Sequence, residues 1–267
     1  MWEGDVWVAT RAARIGADIV QEGFFKALDV DMKGATNPVT QIDMEAEAAI
    51  METIASHFPN DSLLGEEGGG SDWRTGRVWI VDPLDGTVNF IHGIPQVSVS
   101  IALWSNGEPL VGVIIDVARN DQYVAVAGGG ATLNGDPIRV SETSTLDRAM
   151  ILTGFPYDRN EHPDYLDLVR ALLVEAQATR VIGSAALDLA WVAAGYADGY
   201  CEHGGPHGIK PWDMAAGMLL VTEAGGTVTD HLNQPYNLEP AAVVATNGNI
   251  HDDLCHVAMT TLPEHLR

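Results

Sequence analysis

Three short stretches gather carboxylates beside glycine, proline and hydroxyl side chains. The first is Gly65-Glu66-Glu67-Gly68-Gly69-Gly70. Two adjacent acids in a glycine-rich loop can approach a cation without steric hindrance, although alone the stretch also reads as a solvated loop. The second is Asp82-Pro83-Leu84-Asp85-Gly86-Thr87. The apolar run Trp79-Ile80-Val81 reads as a strand that stops at Asp82-Pro83. It delivers Asp82 at a strand's carboxyl end, where α/β structures keep their sites. Pro83 holds its predecessor extended. Asp85 follows three residues later, so the chain must curl to bring the two carboxylates together. Gly86 permits close backbone approach. Thr87 and Asn89 can open a short helix whose free N–H groups face an anion. The third stretch is Pro211-Trp212-Asp213 at the expected start of a helix, where Asp213 alone would read as an N-cap.

Glu66, Asp82, Asp85 and Asp213 form an all-oxygen donor set. No Cys/His cluster accompanies them, which disfavours zinc and favours Mg²⁺ or Mn²⁺. Four carboxylates drawn together would raise one another's pKa, so such a cluster makes sense only around a bound cation. Magnesium keeps waters and substrate phosphate as further ligands, so the second stretch makes a site for a hard divalent cation together with a phosphate oxygen.

Gly65-Glu66-Glu67, the run WIVDPLDGTVNFIHG over 79–93 and PWDMAAG over 211–217 resemble the signature motifs of the inositol monophosphatase family. VTQID (39–43), GFPYDR (154–159) and RVIGSAALDLAWVAAGYADGYCE (180–202) extend the resemblance, which covers most of the chain from about residue 33 to 230.

The resemblance implies roles residue by residue. Glu66, Asp82 and the Leu84 carbonyl would hold one Mg²⁺. Asp82, Asp85 and Asp213 would hold a second, and a third, weaker ion would lean on Glu66. Asp43 and Thr87 match the pair that orients and deprotonates the attacking water. Gly86 and Thr87 would give backbone N–H groups to the phosphate. Glu202 and Ala185 match positions touching the inositol hydroxyls, with Gly183 and Ser184 beside them. Asp85 also borders the substrate, and Glu67 and Lys33 would support from behind. The resemblance further implies an αβαβα layered sandwich, a homodimer and lithium sensitivity. The segment HGGPHGIKP between Glu202 and Trp212 is about four residues longer than the family's usual loop, and it brings His203 and His207 to the alcohol side of the pocket.

The elements that must position these residues are partly visible. Helical spacing runs from Val6 to Leu28. A second helix starts near Thr40, with Thr40 and Asp43 forming a capping box, and ends before Pro59. VSVSIALW, Asn106-Gly107 and PLVGVIID read as a hairpin. QYVAVAG, Asn134-Gly135 and PIRVS continue it as an antiparallel meander over 96–141. Beyond Ser144 strands and helices alternate, with RVIG (180–183) and YADGYCE strand-like and SAALDLAWVAAG and DMAAGMLLVTEAG helical. This predicts an N-terminal α+β half over 1–143, carrying the metal-binding loops, and a C-terminal α/β half over 144–267 that completes the site.

The chain has 267 residues, 37 acids, 14 bases and a formal charge of −23. That charge repels nucleic-acid backbones and anionic lipid, so neither is an expected partner. The absence of a signal-like N-terminus and the spacing of Cys201 and Cys255 predict a reduced, cytoplasmic protein. The leading expectation is a Mg²⁺-dependent phosphomonoesterase acting on inositol monophosphate. The alternatives are a histidinol-phosphatase or fructose-1,6-bisphosphatase with the same architecture, and a non-catalytic regulatory protein on the same fold.

Overall fold

The computed structural model describes residues 2–24, 26, 30–32, 38–155, 165–202, 208–238 and 242–261. Helices are α1 (Glu3–Gly23), α2 (Gln41–His57), α3 (Thr87–Ile91), α4 (Tyr165–Glu175), α5 (Ala185–Ala193), α6 (Pro211–Glu223) and α7 (His251–Thr261). A two-stranded ribbon pairs β1 (Val30–Met32) with β2 (Pro38–Thr40).

An eight-stranded sheet uses β3 (Ser62–Gly65), β4 (Gly69–Gly70), β5 (Arg77–Asp85), β6 (Ser98–Ser105), β7 (Glu108–Asp116), β8 (Asp121–Val126), β9 (Gly130–Leu133) and β10 (Asp136–Pro137). Its order is β10-β9-β8-β7-β6-β5-β3-β4. The meander forms as the Asn-Gly pairs demand: Asn106 and Gly107 adopt φ of 51° and 82°, which a tight hairpin turn requires. A five-stranded sheet uses β11 (Met150–Leu152), β12 (Ala178–Arg180), β13 (Gly199–Glu202), β14 (Thr227–Asp230) and β15 (Val243–Thr246) in the order β12-β11-β13-β15-β14.

Both faces of the larger sheet are buried, so its central strands carry continuous apolar runs rather than alternation. Trp79, Val81, Val99 and Ile101 point into a core with Ala9, Ala13, Ile50 and Ile54 of α1 and α2. Val78, Ile80, Ala102 and Trp104 point the other way, into a core shared with α5, α6 and the second sheet. Leu168 and Leu172 of α4 pack with Leu254 and Ala258 of α7 on the far face of that sheet. The layers therefore run α1/α2, sheet, α5/α6, sheet, α4/α7, an αβαβα stack. Missing side chains set the spacing of the middle layer. A methyl group on Gly112 of β7 would stand 2.7 Å from the Ala216 carbonyl, and one on Gly217 would run into Leu189 of α5.

Three local expectations need correction. The first helix ends at Gly23, not Leu28. The strand expected to stop at Asp82-Pro83 continues to Asp85; its pairing with β6 jumps from Asp82↔Ser100 to Asp85↔Ser98. That irregularity accommodates Pro83, which cannot donate to a ladder. RVIG is not a strand: β12 ends at Arg180. Lys33, His203 and His207, and most of GFPYDR, lie outside the described residues.

Candidate active site

The parallel pair β3/β5 builds the centre of the site. Gly65 of β3 is paired with Val81 of β5, so Glu66 leaves the carboxyl end of β3 beside Asp82, three residues before β5 ends. Glu66 N–H donates to the Val81 carbonyl at 3.2 Å. Beyond it the loop is held by a residue that sequence reasoning missed. Glu47 of α2 is buried, and its two oxygens accept from Glu67 N (2.9 Å) and Gly68 N (2.7 Å). Glu47 sits one helical turn after Asp43, next to Ala46 and Ile50. An acid on an otherwise apolar helix stripe was the available signal.

Helix N-termini supply the rest. Asp43 is the N3 residue of α2, and its Oδ2 accepts from Thr40 N at 2.9 Å and Thr40 Oγ1 at 2.5 Å. Its other oxygen, Oδ1, accepts from Thr87 Oγ1 at 3.0 Å, while that hydroxyl has a second acceptor in the Leu84 carbonyl at 3.2 Å. Asp43 thus caps its helix with one oxygen and faces Thr87 with the other. Asp85 Oδ2 lies at the start of α5, accepting from Ser184 Oγ (2.5 Å), Ala186 N (2.8 Å) and Ser98 Oγ (3.3 Å). Asp213 is the third residue of α6, not its N-cap; its Oδ2 accepts from Lys210 N at 2.7 Å. A helix N-terminus favours nearby negative charge, so the fold places each of these carboxylates where a fixed dipole favours it.

Gly86 joins β5 to α3 with φ of 97°, and a Cβ there would come within 2.8 Å of the Gln96 carbonyl and 3.0 Å of the Gly183 carbonyl. Asn89 ties the same corner to the neighbouring segment, donating to Gln96 O and Ile182 O, both at 2.8 Å. Gly183 and Ser184 are thereby held beside the start of α3, and Ala185 opens α5.

Glu202 ends β13 and is buried. Tyr200 Oη donates to its Oε2 at 2.5 Å, and Gly154 leaves the space its carboxyl fills. Asp188 of α5 is buried nearby with Oδ1 lacking a hydrogen-bond partner. Tyr200, Gly154, Ser98 and Asp188 were not singled out from the sequence. Gly154 and Ser98 act on residues distant in the chain, Glu202 and Asp85, whereas Tyr200 acts on Glu202 two residues on.

The electrostatics unify these groups. Burial pushes the Asp82 carboxyl well above the ordinary range, and the charges of Glu66, Asp85 and Asp213 push it further. Asp213 is raised by burial, then by Asp85 and Glu66. Asp85 is raised by burial, with Ser184 and the α5 backbone pulling against it. Burial also raises Asp43, opposed by its bonds to Thr40 and Thr87. Glu202 is pushed up to about 7, first by burial. The charges acting most strongly on Asp82 and Asp213 are thus other carboxylates. Buried hard oxygens that repel one another suit a hard divalent cation. Among the described residues no three His, Cys, Asp or Glu side chains close around one point to hold an ion unaided. Magnesium does not need such a cage, because waters and phosphate oxygens complete its shell.

The family model described as the inositol monophosphatase family matches residues 4–261. The chain belongs to the inositol monophosphatase family. An inositol-1-monophosphatase from Synechocystis sp. is 40% identical, with 95% of this chain and 88% of the relative aligned. A protein from Pseudomonas aeruginosa named Nus factor SuhB is 39% identical over 97% of this chain and 96% of its own length. The solved inositol monophosphatase from Anabaena (Nostoc) sp. superposes with a TM-score of 0.86 at 39% identity, covering 98% of both chains. The layered α+β fold is that of inositol monophosphatases, and membership makes the chain a phosphatase of that family. No helix among the described residues is long and apolar enough to cross a membrane.

Proposed function

We propose that the protein is a Mg²⁺-dependent phosphomonoesterase that hydrolyses inositol monophosphate to inositol and orthophosphate. Magnesium dependence is general in the family. Glu66, Asp82, the Leu84 carbonyl, Asp85 and Asp213 would hold two or three ions, with Mn²⁺ a substitute. Bound there, the ions would lower the pKa of a coordinated water and neutralise charge on the transferring phosphoryl group.

The observation that carries the reading is the Thr87–Asp43 bond beside the acidic cluster. Thr87 can give its proton to Asp43 or to Leu84, but not to both at once. With the proton on the Leu84 side, Asp43 Oδ1 is left as an acceptor. In either state Thr87 Oγ1 keeps lone pairs for a water's proton, and burial has raised the proton affinity of Asp43. Thr87 and Asp43 thus orient a water and receive its proton. The water oxygen attacks phosphorus in line, the ester P–O bond breaks, and the alcohol leaves with a solvent proton. Backbone N–H groups of Gly86 and Thr87 orient the phosphate. Gly183, Ser184, Ala185 and Glu202 line the alcohol side, with Glu67 and Lys33 in support. An acid at 202 suits a polyol hydroxyl or an amine better than a second phosphate, which ranks inositol phosphate above histidinol phosphate and both above bisphosphates. The reaction takes place in the cytoplasm, in a homodimer, and is inhibited by Li⁺.

The relative named Nus factor SuhB supports a second reading, a regulatory partner in transcription. A net charge of −23 argues against direct contact with nucleic acid, and pure binding leaves the hydrogen bond that links Thr87 to Asp43 with no proton to move. Phosphate release from inositol phosphate, histidinol phosphate and fructose bisphosphate, with and without Mg²⁺, decides. Release from inositol phosphate that requires Mg²⁺ is expected; no release from any substrate would hand the protein to the regulatory reading.

A further inference from the structure

Glu47 is a buried acid that the proposed reaction does not use. It follows Asp43 by four residues on α2, so the two carboxyls project from one face of that helix. Both of its oxygens are engaged by backbone: Oε2 accepts from Glu67 N at 2.9 Å and Oε1 from Gly68 N at 2.7 Å. Missing side chains make room for this grip. A Cβ on Gly65 would run into Glu47 Oε2, and one on Gly68 would stand 3.0 Å from Oε1. The neighbouring Ala46 and Ile50 are buried in the core shared with α1, so the carboxyl stands on a fixed element.

The segment it grips is poorly held otherwise. Residues 66–68 are the tip of a hairpin between β3 and the two-residue β4, with Gly65 opposite Gly69 and Leu64 opposite Gly70. β4 is the edge of its sheet. Gly68, Gly69 and Gly70 follow in a row, and glycine loses more freedom than any other residue when a chain is ordered. A force also acts on the tip. The charge of Glu66 is repelled by Asp82 and Asp213, so without an ion these groups push Glu66 away from the cluster. The bond from Glu66 N to the Val81 carbonyl at 3.2 Å secures the near side of the tip. Glu47 secures the far side, at the two peptides that follow Glu66.

We propose that Glu47 is a positioning residue that sets how tightly the acidic cluster binds a divalent cation, by holding the tip that carries Glu66 against the repulsion of the other carboxylates. This role rests on the reading of Glu66 as an ion ligand. Because α2 also presents Asp43 to Thr87, one helix then fixes both the ion side and the proton-accepting side of the site.

Two variants separate the grip from the charge. Glu47→Gln keeps the size of the side chain and one acceptor, but turns amide protons toward a backbone N–H. Gly65→Ala keeps the charge of Glu47 and displaces its carboxyl. Gly68→Ala displaces it more mildly and serves if Gly65→Ala does not fold, which melting in EDTA reveals. Binding of Mn²⁺ alone, without substrate, is read from the electron paramagnetic resonance signal of the free ion. About 0.15 M KCl screens diffuse attraction to the acidic surface. Each variant should raise the dissociation constant about ten-fold, the usual worth of one hydrogen bond to a charged group. The Glu67 and Gly68 amides should also exchange with solvent faster than in the wild type. Variants that bind Mn²⁺ like the wild type would overturn the role. Weaker binding in Glu47→Gln alone, with both alanine variants unchanged, would make Glu47 a distant charge rather than a clamp and overturn it too. A wild type that takes up no Mn²⁺ would remove the ion site itself, and this role with it.

Discussion

Replacing Glu202 by Gln should stabilise the metal-free protein by an amount that grows with pH. In the fold the Glu202 carboxyl is raised from 4.5 to about 7, chiefly because it is buried. Between those values the native state holds a proton that the unfolded chain has released. Stability therefore falls as pH rises through this window, and the full penalty is reached above about 7. At 1.36 kcal/mol per pKa unit the penalty is about 3 kcal/mol. Glutamine cannot ionise, and its carbonyl still accepts from Tyr200. Its amide protons lack an assured partner, which costs about 1–2 kcal/mol at every pH. The difference between variant and wild type should thus be near zero or negative at about pH 5.5 and favour the variant by about 1–2 kcal/mol at about pH 8.5. Urea unfolding in EDTA across that range measures it. A difference that does not change with pH would show that Glu202 is no more costly to ionise in the fold than in water.

Thr87→Ala should lower kcat on inositol phosphate by about 100-fold or more, the usual worth of a positioned proton acceptor, while Thr87→Ser keeps most activity. Equal losses in steady-state assays would deny the hydroxyl its role. Asp82→Asn should raise the melting temperature in EDTA at alkaline pH, because it removes a buried charge repelled by Glu66, Asp85 and Asp213. The same variant should lose the stabilisation that added Mg²⁺ gives the wild type. A variant still stabilised by Mg²⁺ in thermal melts would remove Asp82 from the ion site. Gly154→Ala would put a methyl group against the Glu202 carboxyl. It should raise KM for inositol phosphate by about ten-fold, the worth of one displaced hydrogen bond, and spare a simple aryl phosphate. Equal losses on both substrates would mean that Glu202 does not select the alcohol.

Residues whose role is local could be read from the sequence. Thr40 and Asp43 are close in the chain, and their capping box forms with the predicted partners. The Asn-Gly turns required no information from elsewhere. The acidic motifs stood out because glycine, proline and acid occur together at fixed spacing. What could not be read depends on contacts between distant segments. Glu47 bonds to a loop twenty residues on. Asp85 is held by the start of α5, about a hundred residues away. The continuation of β5 past Pro83 depends on the irregular pairing with β6, which a propensity argument sees only as a stop. Asp188 carries the same signal as Glu47, one acid on an otherwise apolar helix, but its neighbours come from segments distant in the chain.

The middle helical layer sets the position of one acid of the site. Asp213 rides on α6, whose height above β7 is fixed by the bare Cα of Gly112 and whose distance from α5 is fixed by Gly217. A single added methyl at either seam would shift α6, and Asp213 with it, while leaving every carboxylate of the acidic cluster unchanged in identity. The position of Asp213 is therefore set in part by two bare Cα atoms that lie outside the acidic cluster.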